Sequence, residues 1–319
     1  MVYIRQIAGI AARFLALAAC LGTPLTGALP GQQGQGPVIA ANPAPTPEQI
    51  RSLTARAIEN QHKNDAAIQE YERTEHFVSR KDDNSDTLID RTERRVPSPA
   101  GDIKLKTVEN GMPVSPELYR QELELAVNAL QTALRPDDRY REGQAKYEKR
   151  RHDRGELVDE AAKAFRVTWA GRETRTDSYG AHTPRTLMKF FLDPDPDFKP
   201  GNRFAASFQH VHATMWVDEE QAQFARLEAD IATDITFAGG IAGKVYHGGH
   251  VVVEQGEVAP GVWLPTLYSY NVDGRKFLFA FGVHEHSEIS KYHYVGPPAQ
   301  ALEIMRNELN TLSAASPLR

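Results

Sequence analysis

The sequence contains a single cysteine, Cys20, among 319 residues. One cysteine excludes an intramolecular disulfide framework and any zinc site built from several thiolates. An excess of positive charge is also missing, because 37 basic residues face 42 acidic residues and the formal net charge is −5. No overall field therefore favours nucleic acid as a partner. The composition, 41% hydrophobic and 25% charged, is that of a globular chain.

Long hydrophobic runs are missing as well, and the most apolar stretch lies near the N-terminus. Arg5 and Arg13 precede a short apolar run over 14–20. This run is too short for a membrane-spanning helix and has the layout of an export signal. Its last four residues, Leu-Ala-Ala-Cys, resemble a bacterial lipobox, whose cysteine is diacylated and becomes the mature N-terminus. We therefore predict a signal peptide over 1–20 with Cys20 as the lipidation site.

A segment rich in Gly, Gln, Pro and Ala follows over 21–47. Such a composition cannot bury a core and predicts a flexible tether. Leu21 stands where an inner-membrane retention signal would resemble Asp, which favours a periplasm-facing lipoprotein of the outer membrane. If Cys20 belongs to an ordinary cleaved signal, the protein is instead secreted or periplasmic. We expect the remaining chain, 48–314, to form a single domain.

Helical and strand periodicities alternate along this domain. Thr46-Pro47-Glu48-Gln49 predicts a helix start, with Thr as N-cap and Pro at the first helical position. Strands are then expected over 70–80, 87–96 and 103–109. A helical insertion is predicted around 115–165. We interpret its charged part, from Arg135 to Arg154, as a solvated helix face.

From Phe165 onward the pattern predicts a long antiparallel meander. The expected strands cover 165–175, 185–192, 210–217, 224–232, 243–254, 262–271, 276–283 and 288–295. Asp273-Gly274 predicts a hairpin turn, and Phe277, Phe279 and Phe281 share one face of the following strand. The fold class is α+β, with one large curved antiparallel sheet.

Several short segments of this meander carry a family resemblance. They are Met215-Trp216-Val217-Asp218, Gly239-Gly240-Ile241-Ala242-Gly243, Gly261-Val262-Trp263-Leu264-Pro265 and Ser287-Glu288-Ile289-Ser290-Lys291-Tyr292. Their succession resembles the LolA/LolB/RseB-like half-barrels, the outer-membrane lipoprotein-sorting superfamily. It resembles more closely a group of uncharacterised exported acidobacterial proteins.

This resemblance implies a half-barrel whose helices pack on the concave side of the sheet. In that superfamily the concavity holds acyl chains or hydrophobic parts of peptides. The residues that we expect to line it here are Trp216, Trp263, Phe277 and Phe279. The partners implied are a lipid or lipoprotein acyl chains, together with the membrane reached through the N-terminal anchor.

Residues for catalysis are sparse. In a strand, His284, His286 and Glu288 would share a face and are weak candidates for a zinc site. Asp193, Asp195 and Asp197 fit a proline-stiffened loop better than a calcium site. The sequence contains no nucleophile elbow, phosphate-binding loop or dinucleotide fingerprint, so no cofactor is expected.

The sequence therefore favours a non-enzymatic, exported protein that holds a lipid or a lipidated partner in a half-barrel cavity. Two alternatives stay open. One is a structural or interaction protein of the envelope whose sheet encloses no cavity. The other is a metal-dependent hydrolase that uses the cluster at His284.

Overall fold

The structure is a computed structural model that describes residues 43–81, 86–135, 138–176, 184–237 and 239–315. Its helices are α1 (Pro47–Ala67), α2 (Pro116–Ala133), α3 (Asp138–Ala164) and α4 (Pro298–Ala315). Its strands are β1 (Tyr71–Arg80), β2 (Thr87–Val96), β3 (Ile103–Glu109), β4 (Met112–Pro113), β5 (Phe165–Thr176), β6 (Pro184–Pro194), β7 (Val211–Asp218), β8 (Phe224–Ile231), β9 (Ile235–Phe237), β10 (Gly243–Val245), β11 (His250–Ala259), β12 (Val262–Lys276) and β13 (Phe279–Tyr294). The predicted signal peptide with Cys20 lies outside the described residues.

The first helix begins where the sequence predicts. The Thr46 side chain accepts a hydrogen bond from the backbone N of Gln49 at 3.2 Å, and the Gln49 side chain accepts one from the Thr46 backbone N at 2.7 Å. This reciprocal capping box satisfies two backbone donors that a helix start leaves unpaired. Within the described ranges, no helix is long and apolar enough to cross a membrane.

One antiparallel sheet of 13 strands organises the fold. Its main path runs β4-β3-β2-β1-β13-β12-β11-β8-β7-β6-β5, and β10 pairs with β12 beside this path while β9 pairs with β10. The two ends of the path, β4 and β5, do not pair with each other. The sheet is therefore open, and the expected α+β class with one large antiparallel sheet is confirmed.

A row of directly paired residues defines what we call the front face of the sheet. The row runs Phe190, Met215, Leu227, Val253, Tyr268, Ser287, Phe77 and Arg91. Because neighbouring residues of a strand point to opposite sides, the row beginning Lys189, Trp216 and Arg226 lies on the back face. The front face changes from apolar to polar as it crosses from β6 to β2.

The helices divide between these two faces. On the front, Leu53 of α1 and Ala161 of α3 belong to the main core with β5 to β8. On the back, Leu123 of α2 and Met305 of α4 pack with Leu105 of β3 in a second core. The expected packing of the helices on one side of the sheet therefore describes α1 and α3 only, because α2 and α4 cover the opposite face at the β1–β3 end.

The second core is joined to the sheet by a buried arginine. Arg94 of β2 donates to the Tyr119 hydroxyl of α2 at 3.0 Å and to Glu308 of α4 at 2.5 Å. It also bonds Glu72 of β1 at 2.8 Å. Burial alone would lower the pKa of Arg94, but the two carboxylates raise it, so this link keeps its charge.

The turn between β12 and β13 differs from the prediction. Asp273-Gly274 lies inside β12, and the hairpin turns at Phe277-Leu278 instead. A Cβ on Gly274 would lie 2.5 Å from the Lys244 carbonyl oxygen and equally close to the Phe281 ring. Position 274 therefore requires glycine because β10 approaches it closely, and a close approach of another backbone is one of the usual reasons for glycine in a strand. The prediction of an Asp-Gly hairpin was wrong, and the strands expected at 276–283 and 288–295 form one strand.

The edge strand β5 carries a β-bulge. Its register with β6 shifts between Trp169 and Gly171, and Gly171 has φ of 128°. Such a φ is accessible to glycine and costly for other residues. The bulge bends the outer strand at one end of the sheet.

Candidate functional site

A cavity of about 480 Å³ lies between the polar part of the front face and helix α3. Strands β1, β2, β12 and β13 form its floor, and α3 with the turn Ile68–Glu70 forms its wall. The lining residues are Ile68, Gln69, Arg73, Glu75, Arg95, Asp102, Tyr147, Arg150, Arg151, Asp153, Arg154, Phe204, Pro265, Tyr268, Tyr270, Glu285, Ser287 and Ile289.

The wall contributes one face of a helix. Tyr147, Arg150, Arg151 and Arg154 are spaced i, i+3, i+4 and i+7, so they project from the same side of α3. The same stripe continues into Leu157, which is buried in the main core. Helix α3 is thus anchored by the apolar residues near its C-terminal end, and its middle presents three guanidinium groups to the cavity.

Two of these arginines have few partners. The Arg150 guanidinium lies 5.6 Å from the centroid of the Tyr147 ring, and Arg151 donates to the Asp65 carbonyl at 3.3 Å. In the parts of the chain that the structure describes, neither forms an ion pair with a carboxylate. Their charges are therefore available to a bound anion.

Arg154 lies deeper than these two. Its guanidinium is 3.5 Å from the Asp65 carboxylate. Burial alone would lower the pKa of Arg154, but Asp65 and the charge coupling to nearby tyrosines raise it above its usual value. Arg154 therefore stays protonated at the inner end of the wall.

The arginines on the floor are paired internally. Arg73 pairs with Asp102, and Arg95 pairs with Glu75 and lies 3.5 Å from Glu93. Buried arginines require such partners, because an unpaired buried charge is costly. The floor arginines are therefore paired, in contrast to Arg150 and Arg151 of α3, whereas Glu285 on the same floor has no ion pair among the described residues.

The floor also has an aromatic part. Tyr268 and Tyr270 of β12 stack with ring centroids 6.1 Å apart and planes 12° from parallel. Burial raises the pKa of Tyr268 to about 12, so its hydroxyl stays neutral. Ile289 and Pro265 adjoin these rings and add apolar surface.

A smaller void of about 40 Å³ adjoins the cavity, sharing Arg154 and Tyr268 with it. Its remaining walls include Met215, Leu227 and Val253 of the apolar front face. The void is therefore mixed in character, because Gln61, Asp65, Arg226 and Gln255 line it together with the apolar residues.

None of the four aromatic residues named from the sequence lines this cavity. Trp216 and Trp263 are buried with Leu187 in a small cluster on the back face. Trp263 also lines a back-face cleft of about 190 Å³. The alternation of strand residues explains the placement, because Met215 faces the front core and its neighbour Trp216 must face the other way.

Phe277 and Phe279 lie at the tip of the β12–β13 hairpin. Their side chains are largely exposed there. The altered turn is the cause, since a hairpin at Asp273-Gly274 would have placed both residues within the strand.

The three metal candidates share the back face of β13, as their spacing implies. His284 hydrogen-bonds Asp273 at 3.1 Å, and His286 lies 3.3 Å from Glu288. Over the described ranges, no group of three or more His, Cys, Asp or Glu side chains is arranged to hold a metal ion. The geometry pairs these residues locally and does not converge them on one point.

Sequence reasoning missed the arginine wall. The interpretation of 135–154 as a solvated face holds for residues such as Lys149, which pairs with Asp153. It holds also for Arg150, which is exposed at the rim of the cavity, but not for Tyr147, Arg151 and Arg154, which are partly buried. The available signal was their spacing, which continues the apolar stripe of the second half of the helix.

Comparisons with known proteins add little to this geometry. No family model matches the chain, and no curated protein matches it. Among solved structures, the chain is similar to one described as an outer membrane lipoprotein-sorting protein domain from Vibrio parahaemolyticus. The TM-score is 0.26 at 8% identity, over 75% of this chain and 92% of that chain. The chemistry of the cavity must therefore be inferred from its own residues.

Proposed function

We propose that this protein is a non-enzymatic binding protein of the cell envelope that holds a lipid, or the acyl chain of a lipidated partner, in the front-face cavity. The observation that carries the proposal is the cavity itself, with arginines on one wall and aromatic and aliphatic groups on its floor. A ligand with an anionic group and an apolar chain would satisfy both surfaces.

The size of the cavity supports binding over the alternative of a filled sheet. Ligand sites commonly enclose about 300–1,000 Å³, and the volume here is about 480 Å³. An apolar chain directed past Tyr268 would reach the void lined by Met215 and Leu227. Each methylene buried there would contribute about 0.8 kcal/mol.

The charges support an anionic group at the other end of the ligand. Arg150 and Arg151 have no carboxylate partner among the described residues, and a guanidinium matches the geometry of a carboxylate or phosphate. The paired arginines of the floor do not compete for this group. We therefore assign binding of the anionic group to α3. The floor and the adjoining void would select the ligand by the length of its apolar chain.

Replacing Arg150 and Arg151 together by glutamine is expected to weaken binding of a long-chain fatty acid by roughly tenfold or more. A hydrogen bond to a charged group contributes about 1.5–3 kcal/mol, and about 1.4 kcal/mol corresponds to a factor of ten. Isothermal titration with palmitate, and with hexadecanol as a neutral ligand of equal chain length, measures the effect.

Arg120→Gln is the matched control, since Arg120 lies on the surface of α2 and pairs with Glu117 and Glu124. It should leave the palmitate affinity unchanged. Absence of binding by the unaltered protein, or equal weakening for palmitate and hexadecanol, would contradict the assignment of the arginines.

The proposed location rests on the lipobox at Cys20. Acylation would hold the protein at the outer membrane, with 21–47 as tether, whereas an unacylated chain would be periplasmic or secreted. Native mass spectrometry of protein extracted from its own membrane should show an added diacylglyceryl mass that disappears in Cys20→Ser. An unmodified mature chain would instead support the cleaved-signal alternative. The same spectrum would report a co-purifying lipid.

A further inference from the structure

The β12–β13 hairpin ends in an exposed apolar tip, which we define as Ile241, Phe277, Leu278 and Phe279. The exposed fractions are 78%, 53%, 91% and 70%, respectively. Two loops meet in this tip, because the Phe277 backbone N donates to the Ala242 carbonyl at 3.3 Å. Scattered single apolar residues are normal on a protein surface, but four grouped at a protruding turn are not.

The turn itself is built against its local preferences. A two-residue hairpin favours Asn-Gly, and the chain uses Asn110-Gly111 in that way between β3 and β4, with φ of 50° and 75°. Between β12 and β13 the same positions hold Phe277 and Leu278, and Phe277 has φ of 53°. A bulky aromatic residue in this region is strained. Neither stability nor solubility explains large apolar residues at this turn.

Basic residues flank the tip. Arg275 and Lys276 end β12, immediately before the turn, and Lys244 lies opposite Arg275 in β10. Lys244 is paired with Asp234 at 2.5 Å, whereas no ion pair of Arg275 or Lys276 occurs among the residues that the structure describes. The Arg275 guanidinium donates to the Phe277 carbonyl at 3.2 Å, which holds this charge at the base of the tip. An apolar tip with cations that no described carboxylate neutralises matches the chemistry of a bilayer surface that carries anionic lipid.

We propose that this tip inserts into the interfacial region of an anionic membrane. Phe277, Leu278 and Phe279 enter the boundary between headgroups and acyl chains, and Arg275 with Lys276 contacts the anionic headgroups. The contact is separate from the lipid anchor at Cys20 and does not depend on the ligand in the cavity. The contact of the tip with the membrane determines which end of the sheet faces the bilayer.

The single native cysteine allows a local test in the full chain. In a Cys20→Ser background, Leu278→Cys is labelled with an environment-sensitive fluorophore and mixed with phosphatidylglycerol or phosphatidylcholine vesicles. Leu125→Cys is the matched control, because Leu125 on α2 is also exposed, at 67%. We expect a blue shift of the emission at position 278 with phosphatidylglycerol vesicles and none at position 125.

Adding Lys276→Glu to the labelled protein should reduce the apparent vesicle affinity by roughly tenfold, because a favourable charge becomes unfavourable near the surface. Three results would overturn the proposal. They are no shift at position 278, equal shifts at positions 278 and 125, and an emission already blue-shifted without vesicles, which would mean that protein covers the tip.

Discussion

Trp263→Ala is expected to destabilise the folded protein by about 3–5 kcal/mol, the usual cost of truncating a large buried aromatic residue. Trp263 is 1% exposed, and its indole Nε1 donates to Gln221 at 2.9 Å. The Arg185 guanidinium lies 4.8 Å from its ring centroid. The substitution would remove the packing, the hydrogen bond and the surface on which the cation rests. Urea denaturation monitored by circular dichroism measures the loss.

Two companion variants separate these contributions. Trp263→Phe keeps most of the apolar burial and loses the indole donor, so it should cost less than alanine. Leu125→Ala removes an exposed side chain and should change stability by no more than about 0.5 kcal/mol. If Trp263→Ala were as mild as Leu125→Ala, the small back-face cluster would not contribute to the folded state.

Glu75→Gln is expected to cost about 3 kcal/mol of stability, the lower end of what breaking a buried ion pair costs. Glu75 pairs with Arg95 and accepts a hydrogen bond from Ser287 at 2.8 Å. The glutamine retains an acceptor for Ser287 but removes the negative charge that pairs with the Arg95 guanidinium. The cost stays moderate because Glu93 and Asp102 lie 3.5 and 3.8 Å from Arg95. The midpoint of urea unfolding reports the change.

The matched control is Glu109→Gln, which removes a solvent-exposed pair with Lys106 at 2.7 Å. Exposed pairs contribute about 0–1 kcal/mol, so this variant should remain near the unaltered protein. Similar losses in Glu75→Gln and Glu109→Gln would show that the floor network is not isolated from solvent. The Glu75→Gln protein should also bind palmitate more tightly, since one carboxylate of the cavity has been neutralised.

Local signals in the sequence predicted most of the secondary structure. Thr46 to Gln49 specify a helix start through backbone hydrogen bonds that involve only neighbouring residues. The Asp273-Gly274 pair failed because the same dipeptide serves a turn or a close approach between strands. Only the position of β10, whose Lys244 carbonyl lies close to Gly274, distinguishes the two uses. Tertiary contacts of this kind are not encoded in the spacing of a short segment.

The candidate site was harder to predict for a related reason. The family resemblance implied a cavity, and four aromatic residues were expected to line it. The face on which a strand residue lies depends on register, however, and Trp216 lies opposite the front core. The arginines of α3 looked like solvent-facing charges because composition does not report what covers a helix. Their relation to Leu157 becomes evident once that residue is known to be in the core.

The bulge in β5 bears on self-association. An open sheet leaves its outer strand with unpaired amide and carbonyl groups, which offer a template for a strand of another molecule. The register shift at Gly171 interrupts that template. A second copy that approached β5 edge to edge would meet a kinked backbone. The bulge therefore disfavours edge-to-edge extension of the sheet from β5.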